Sequence, residues 1–271
     1  MIYLLLSVLC SVTIGNLLQS FRRDRGVAIL SIFLGNYVLA AVFSAVMAIW
    51  HHETFTVFDV WFGALCGGFF LANFFVYQHN IQINGLSLSV GTMRVGVIIP
   101  AVVTLLWFPE ALQLTKILGF VIIVAAFVIG TDRHHLGNLL WLLMLFLVSG
   151  MTETTMKVYK ELGSGQQYSF FTILFTAAAF YTMVSMAIKR DKLQWNWFLR
   201  GTVLGVPNQL SSVFFLHGLG IVPATVAFPL VASGIVFFSF ISDAIIWKHS
   251  YSLAQKVMIL LILVGIVLLN I

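Results

Sequence analysis

Runs of about twenty predominantly apolar residues follow one another along almost the whole chain, and a run of that length is what an α-helix needs to cross a bilayer. They cover 3–20, 27–49, 57–78, 86–107, 113–130, 137–156, 167–188, 198–217, 222–246 and 253–270. Only short polar connections separate them, which leaves no room for a soluble domain. Across 271 residues, 61% are hydrophobic and 8% charged, with mean hydropathy +1.04. A helix satisfies its own backbone in lipid. Strands of a membrane barrel would alternate in polarity, and these runs do not. The expected fold is an all-α polytopic membrane protein of ten transmembrane helices. The ninth run is the least regular, because Pro223 and Pro229 crowd its start.

Basic residues set the expected orientation, since cytoplasmic loops collect lysine and arginine. The connections after runs 1, 3, 5, 7 and 9 hold Arg22, Arg23, Arg25, Arg133, Lys189, Arg190, Lys192, Arg200, Lys248 and Lys256. The other side holds Lys116, Lys157 and Lys160. Both termini are therefore expected outside. The net charge of +5 belongs to this bias and does not argue for nucleic acid. The opening MIYLLLSVLC has no basic lead-in, so the first run is expected to be retained. Cys10 and Cys66 lie inside apolar runs and read as packing residues.

The two halves of the chain resemble each other. A shift of 137 lays Asn16 on Glu153, Arg23 on Lys160, Asp24 on Glu161 and Gly26 on Gly163. A shift of 138 lays Gly63 on Gly201, Gly67 on Gly205, Asn73 on Ser211 and His79 on His217. Ordered matches of glycine, histidine and charge at nearly one offset predict two five-helix repeats, 1–133 and 134–271. An odd number of spans per repeat inserts the second upside down, an arrangement that in transporters puts the substrate near the midplane between halves.

The chain resembles the drug/metabolite transporter superfamily, EamA type. Ser87-Leu88-Ser89 leading to Pro100, then Glu110 and Lys116-Ile117-Leu118-Gly119-Phe120, carry the likeness in the first half. Pro223-Ala224-Thr225-Val226-Ala227, Trp247-Lys248 and Leu253-Ala254-Gln255-Lys256 carry it in the second. Lys248 stands where the pattern has an acidic turn residue, and many members put their termini in the cytoplasm. The resemblance implies ten helices in two inverted repeats and transport by alternating access.

Polar groups deep in apolar runs are the candidate site. An arginine at such depth faces a bundle interior or wet cavity. Arg94 is thus the expected ligand for an anionic or carboxylate-bearing substrate. At about 1.5 Å per residue, Asn36, Asn208, Gln209 and Arg94 share a layer near the midplane, with Ser233 at comparable depth. Asn73 and Asn16 lie nearer the cytoplasm and complete the substrate-binding set. Pro207-Asn208-Gln209 suggests a broken helix of the kind that lines transporter sites. Glu153, farther out in the sixth run, is the candidate carrier of a coupling proton, with Lys157 at i+4 the expected ion-pair partner. Each amide also has a structural reading, as a hydrogen bond between helices. The tryptophans near run ends fit an aromatic belt.

No phosphate-binding loop is present. His51-His52-Glu53 and His134-His135 lack further ligands for a metal site. Ser149-Gly150 and Ser233-Gly234 lack a histidine placed as base. The expectation is a secondary transporter of a small metabolite, an amino acid, organic anion or similar, with no cofactor and no enzymatic activity. The alternatives are a multidrug or cation exporter of the same superfamily, a membrane-embedded enzyme acting on lipid-linked substrates, and a non-transporting scaffold. Expected partners are the bilayer and the small-molecule substrate, with protons as the candidate coupling ion. The expected assembly is a monomer or homodimer, and short loops fit a bacterial inner membrane.

Overall fold

The computed structural model describes residues 1–21, 26–84, 92–93, 96, 98–107, 114–130 and 139–248, with isolated positions between 253 and 268. Every element among the described residues is helical: α1 (Ile2–Phe21), α2 (Ile29–Trp50), α3 (Val57–Asn84), α4 (Ile98–Trp107), α5 (Leu114–Gly130), α6 (Leu139–Leu162), α7 (Gln167–Lys189), α8 (Trp195–Leu219) and α9 (Ala224–Ile245). Arg94, residues 108–110, Arg22, Arg23, Arg25, Arg133 and most of the tenth apolar run lie outside the described residues.

Five helices, α1, α2, α3, α7 and α9, contain stretches long and apolar enough to cross a membrane, consistent with a polytopic membrane protein. α6 and α8 have the length, at 24 and 25 residues. Their hydropathy is diluted by Thr152, Glu153, Thr154, Thr155 and Lys157 in α6, and by Arg200, Asn208 and Gln209 in α8. Outward faces are apolar, as lipid requires: Val42, Ile49, Phe180, Ile188 and Val203 are all exposed. Trp50, Trp61, Trp107 and Trp195 are exposed near helix ends.

α2 is central. It packs against α7 and α8, while α1 packs against α8 and α9, α3 against α6 and α7, and α4 against α6 and α9. Phe33, Tyr37, Phe170, Phe171 and Phe175 are fully buried where α2 meets α7. Glycines let backbones approach, the main device for packing helices where lipid removes any hydrophobic drive between them. Gly201 and Gly205 of α8 lie on Ile32 and Asn36 of α2, so a methyl at Gly201 would overlap the Ile32 carbonyl. Gly63 and Gly67 of α3 lie on Phe170 and Leu174 of α7, and a methyl at Gly67 would come 2.5 Å from the Leu174 carbonyl oxygen. Both pairs run parallel.

At one end a capping box starts α3. The Asp59 amide donates to Thr56 Oγ1 at 3.1 Å, and the Thr56 amide donates back to the Asp59 carboxylate at 3.1 Å. Ser164, between α6 and α7, donates to both oxygens of the same carboxylate at 3.1 and 3.0 Å. Glu53 accepts from the Ser169 amide at 2.7 Å in the first turn of α7, where a carboxylate suits the positive helix end. The connections at 51–56 and 163–166 are thereby joined.

One proline expectation is corrected, and the ninth run is a single helix as expected. α8 runs unbroken through Pro207, so the helix is not interrupted beside Asn208 and Gln209. Pro207 removes only the hydrogen bond to the carbonyl of Val203, and packing against α1 and α2 holds the helix on either side. Pro223 precedes α9, accepting from the amides of Val226 and Ala227 at 3.0 and 2.9 Å. Pro229 sits inside that single helix.

Candidate functional site

The deep polar groups fall into four places. In the seam between α2 and α8, Asn208 Nδ2 donates to Asn36 Oδ1 at 3.1 Å, and Gln209 Nε2 donates to Ser44 Oγ at 2.6 Å. All four residues are buried. These amides bridge parallel helices directly beside the Gly201 and Gly205 contacts. Asn36 Nδ2 and Gln209 Oε1 have no hydrogen-bond partner among the described residues, nor does the Tyr37 hydroxyl on the neighbouring position of α2. Ser233 Oγ of α9 is likewise buried and unpartnered.

Between α3 and α6, Ser149 Oγ donates to Asn73 Oδ1 at 2.7 Å. Near the start of α6, the Trp141 ring lies 4.0 Å from that of His79, and Asn80 donates to the Trp141 carbonyl at 2.8 Å. At the far end of α1, Asn16 Oδ1 accepts from Trp247 Nε1 at 2.8 Å and from Ser242 at 3.1 Å, while its Nδ2 donates to the Val12 carbonyl at 2.9 Å. Asn16 thereby ties the end of α1 to that of α9.

The fourth place is a cavity of about 140 Å³ between α1, α3, α6, α8 and α9. Its polar wall is Ser7 and Ser11 from α1, Thr152 and Glu153 from α6, and Ser211 and Ser212 from α8. Its apolar wall includes Phe70, Met156, Phe215, Phe228 and Ile235. The serine hydroxyls hold α1 to α8: Ser11 and Ser211 Oγ are 2.8 Å apart, and Ser7 Oγ donates to the Ser211 carbonyl at 3.0 Å. Glu153 is half-buried and is the one ionisable side chain in the described wall. Lys157, the neighbour expected at i+4, donates to Glu161 at 2.7 Å, one turn further along α6.

Of the sequence candidates, Asn36 and Asn208 are in direct contact, with Gln209 in the same seam. Glu153 lines the cavity; Asn16, Asn36, Asn73, Asn208, Gln209 and Ser233 do not. The serines were the missed residues. Ser7 and Ser11 repeat at i and i+4 in an otherwise apolar helix, placing both hydroxyls on one face. Ser211 is also the position onto which the 138 shift brings Asn73. Elsewhere, His51 stacks on Tyr168 with ring centroids 5.2 Å apart, and His217 on Tyr3 at 5.4 Å. Among the described residues no group of three histidine, cysteine or acidic side chains is placed to hold a metal ion.

A bundle whose described elements are all helical, with an apolar exterior and a partly polar cavity between its helices, is consistent with a polytopic membrane protein. No family model matches the chain, and no curated protein does. Solved structures do match. One, described only as a crystal structure of a protein, superposes with TM-score 0.76 over 99% of this chain and 98% of its own at 12% identity. At that identity the likeness is one of fold alone.

Proposed function

We propose that the chain is a secondary transporter of a small metabolite, built from two inverted five-helix repeats, 1–133 and 134–271, that alternate access to the cavity between them. The observation that carries this is the composition of the cavity wall. α1 and α3 of the first half and α6, α8 and α9 of the second all contribute, and the carboxylate of Glu153 stands among them. A relative movement of the halves therefore has to open, close or reshape that space.

Contacts support the repeat more strongly than sequence matches do, because a contact has two ends that must both correspond. The shift of 138 that carries Gly63 onto Gly201 also exchanges their partners, Ile32 for Phe170. The same shift converts the Gly67–Leu174 contact into that of Gly205 with Asn36. It converts the Asn73–Ser149 hydrogen bond into the Ser211–Ser11 bond. It also converts the His79–Trp141 ring contact into that of His217 with Tyr3. Exchange of partners under one shift is what a two-fold axis between halves produces, and transporters place their sites on such axes.

Residence in a bacterial inner membrane with both termini outside, and membership of the EamA-type superfamily, belong to the same proposal. Arg94, outside the described residues, remains the candidate for an anionic substrate group. The test is flux into proteoliposomes. A pH gradient should drive uptake in the wild type, and Glu153→Gln should abolish that drive. Arg94→Ala should insert normally and lose uptake; undiminished uptake would remove Arg94 from the mechanism. A purified chain that moves no solute down any imposed gradient overturns the transporter reading.

A further inference from the structure

One backbone turn occurs twice, at opposite ends of the bundle. After α2, the His52 amide donates to the Ile49 carbonyl at 3.1 Å and the Glu53 amide to that of Ala48 at 2.9 Å, with His52 at φ 53°. After α7, the Arg190 amide donates to the Ala187 carbonyl at 3.2 Å and the Asp191 amide to that of Met186 at 2.9 Å, with Arg190 at φ 56°. The shift of 138 carries each donor and acceptor of the first turn onto those of the second. The side chains do not correspond: His51-His52-Glu53-Thr54 becomes Lys189-Arg190-Asp191-Lys192.

The two turns also spend their side chains differently. Glu53 and Thr54 are bonded across to the Ser169 amide and the Gln166 side chain. After α7 all four residues are exposed, and Arg190, Asp191 and Lys192 make no side-chain hydrogen bond or ion pair among the described residues. The backbone that presents them is nonetheless held, because the Gln194 amide donates to Ser31 Oγ of α2 at 3.1 Å. Lys189 Nζ lies over the Phe75 ring, 4.7 Å from its centroid. The packing of the chain therefore makes no use of the Arg190 and Lys192 charges.

Apolar stripes run away from these cations. Phe180, Val184 and Ile188 recur every four residues towards the end of α7, and Trp195, Leu199 and Val203 nearly so from the start of α8; all six are exposed. In a bilayer such stripes meet acyl chains, and a tryptophan at a helix end sits at headgroup level. Cations at one end set orientation, and at headgroup level they also meet the headgroups themselves. A partner that suits both features carries an anionic group directly beside alkyl chains. A soluble anion would meet the cations alone, through water and salt that screen them.

We infer that the α7–α8 connection binds an anionic phospholipid, its headgroup on Arg190 and Lys192 and its chains along the stripes. Clusters of lysine and arginine beside a membrane helix have this chemistry. The inference goes beyond the transporter reading and does not depend on it.

Thermal unfolding of the purified full chain in a non-ionic detergent decides it. The probes are phosphatidylglycerol, phosphatidylcholine with the same acyl chains, and inorganic phosphate. Phosphatidylglycerol should raise the unfolding temperature with concentration. It should do so at a concentration at least ~10-fold below that needed of phosphatidylcholine, since each cation near an anionic surface is worth about fivefold. Higher ionic strength should narrow the difference. Arg190→Gln with Lys192→Gln should lose the preference. Arg190→Lys with Lys192→Arg, which conserves charge, should keep it, as should Lys160→Gln at the other end of the bundle. Equal response of the wild type to the two lipids, or response to neither, overturns the inference. Inorganic phosphate that matches phosphatidylglycerol makes the turn a small-anion site and overturns it too. None of these three outcomes depends on a variant folding. A folded double variant that keeps the preference places the lipid elsewhere and overturns the assignment to this turn.

Discussion

Asn36 and Asn208 show how a polar residue at membrane depth is held. Their side chains are joined by one hydrogen bond at 3.1 Å in a seam closed to solvent. Removing one partner strands the other amide in an apolar environment, whereas replacing both removes the desolvation problem along with the bond. Asn208→Ala should therefore destabilise by about 1–2 kcal/mol, at the upper end of what interhelical bonds in membranes contribute. The double replacement Asn36→Leu with Asn208→Leu should cost less than the single change. Thermal unfolding in detergent checks both, and additive losses would contradict the pairing. Asp59 is a second case. Its carboxylate accepts from Thr56 and from Ser164, so Asp59→Ala removes one half of the capping box and a link between connections together. A loss of about 1.5–3 kcal/mol is expected, the scale of a hydrogen bond to a charged group. Thr56→Ala, which leaves Ser164 its partner, should cost less.

At the level of the helix, glycine positions set which elements can touch. Gly201 of α8 sits where a methyl would overlap the Ile32 carbonyl of α2. Because backbone cannot swing aside as a side chain does, Gly201→Ala has to push the helices apart. Gly201→Ala and Gly67→Ala should each lower the yield of folded protein in size-exclusion chromatography, while Gly15→Ala, which meets nothing within 4 Å, should not. A normal profile for Gly201→Ala would show that the seam is not tightly closed. Hydropathy marked where most of these helices lie, but not their ends. α3 continues to Asn84 and α6 to Leu162, several residues beyond their apolar runs. Backbone hydrogen bonding and pairs such as Lys157–Glu161 sustain a helix after its apolar residues stop. Pro207 misled for a related reason: a proline removes one bond and need not break a helix packed on two sides. The deep amides were legible as exceptions in apolar runs. The cavity was not, because serines are common in membrane helices, and only the packing of α1 against α8 brings Ser7, Ser11 and Ser211 together.

For the molecule as a whole, the transporter proposal makes a directional claim. The cavity lies beside the α1–α8 contact made by Ser11 and Ser211. The contact that exchanges with it is Asn73 with Ser149 between α3 and α6. If two inverted halves rock, the opposite state should open a corresponding space beside Ser149 and close the one beside Ser11. With native Cys10 and Cys66 replaced by alanine, Ser11→Cys and Ser149→Cys can each report access to a membrane-impermeant maleimide. The two positions should label from opposite faces of sealed vesicles. A ligand that holds one state should speed labelling at one position and slow it at the other, because any stabilisation of one state depletes its alternative. An inverted pair cannot open both spaces to one face. Labelling of both positions from the same side would therefore exclude alternating access about this axis, even if the chain were found to move a solute.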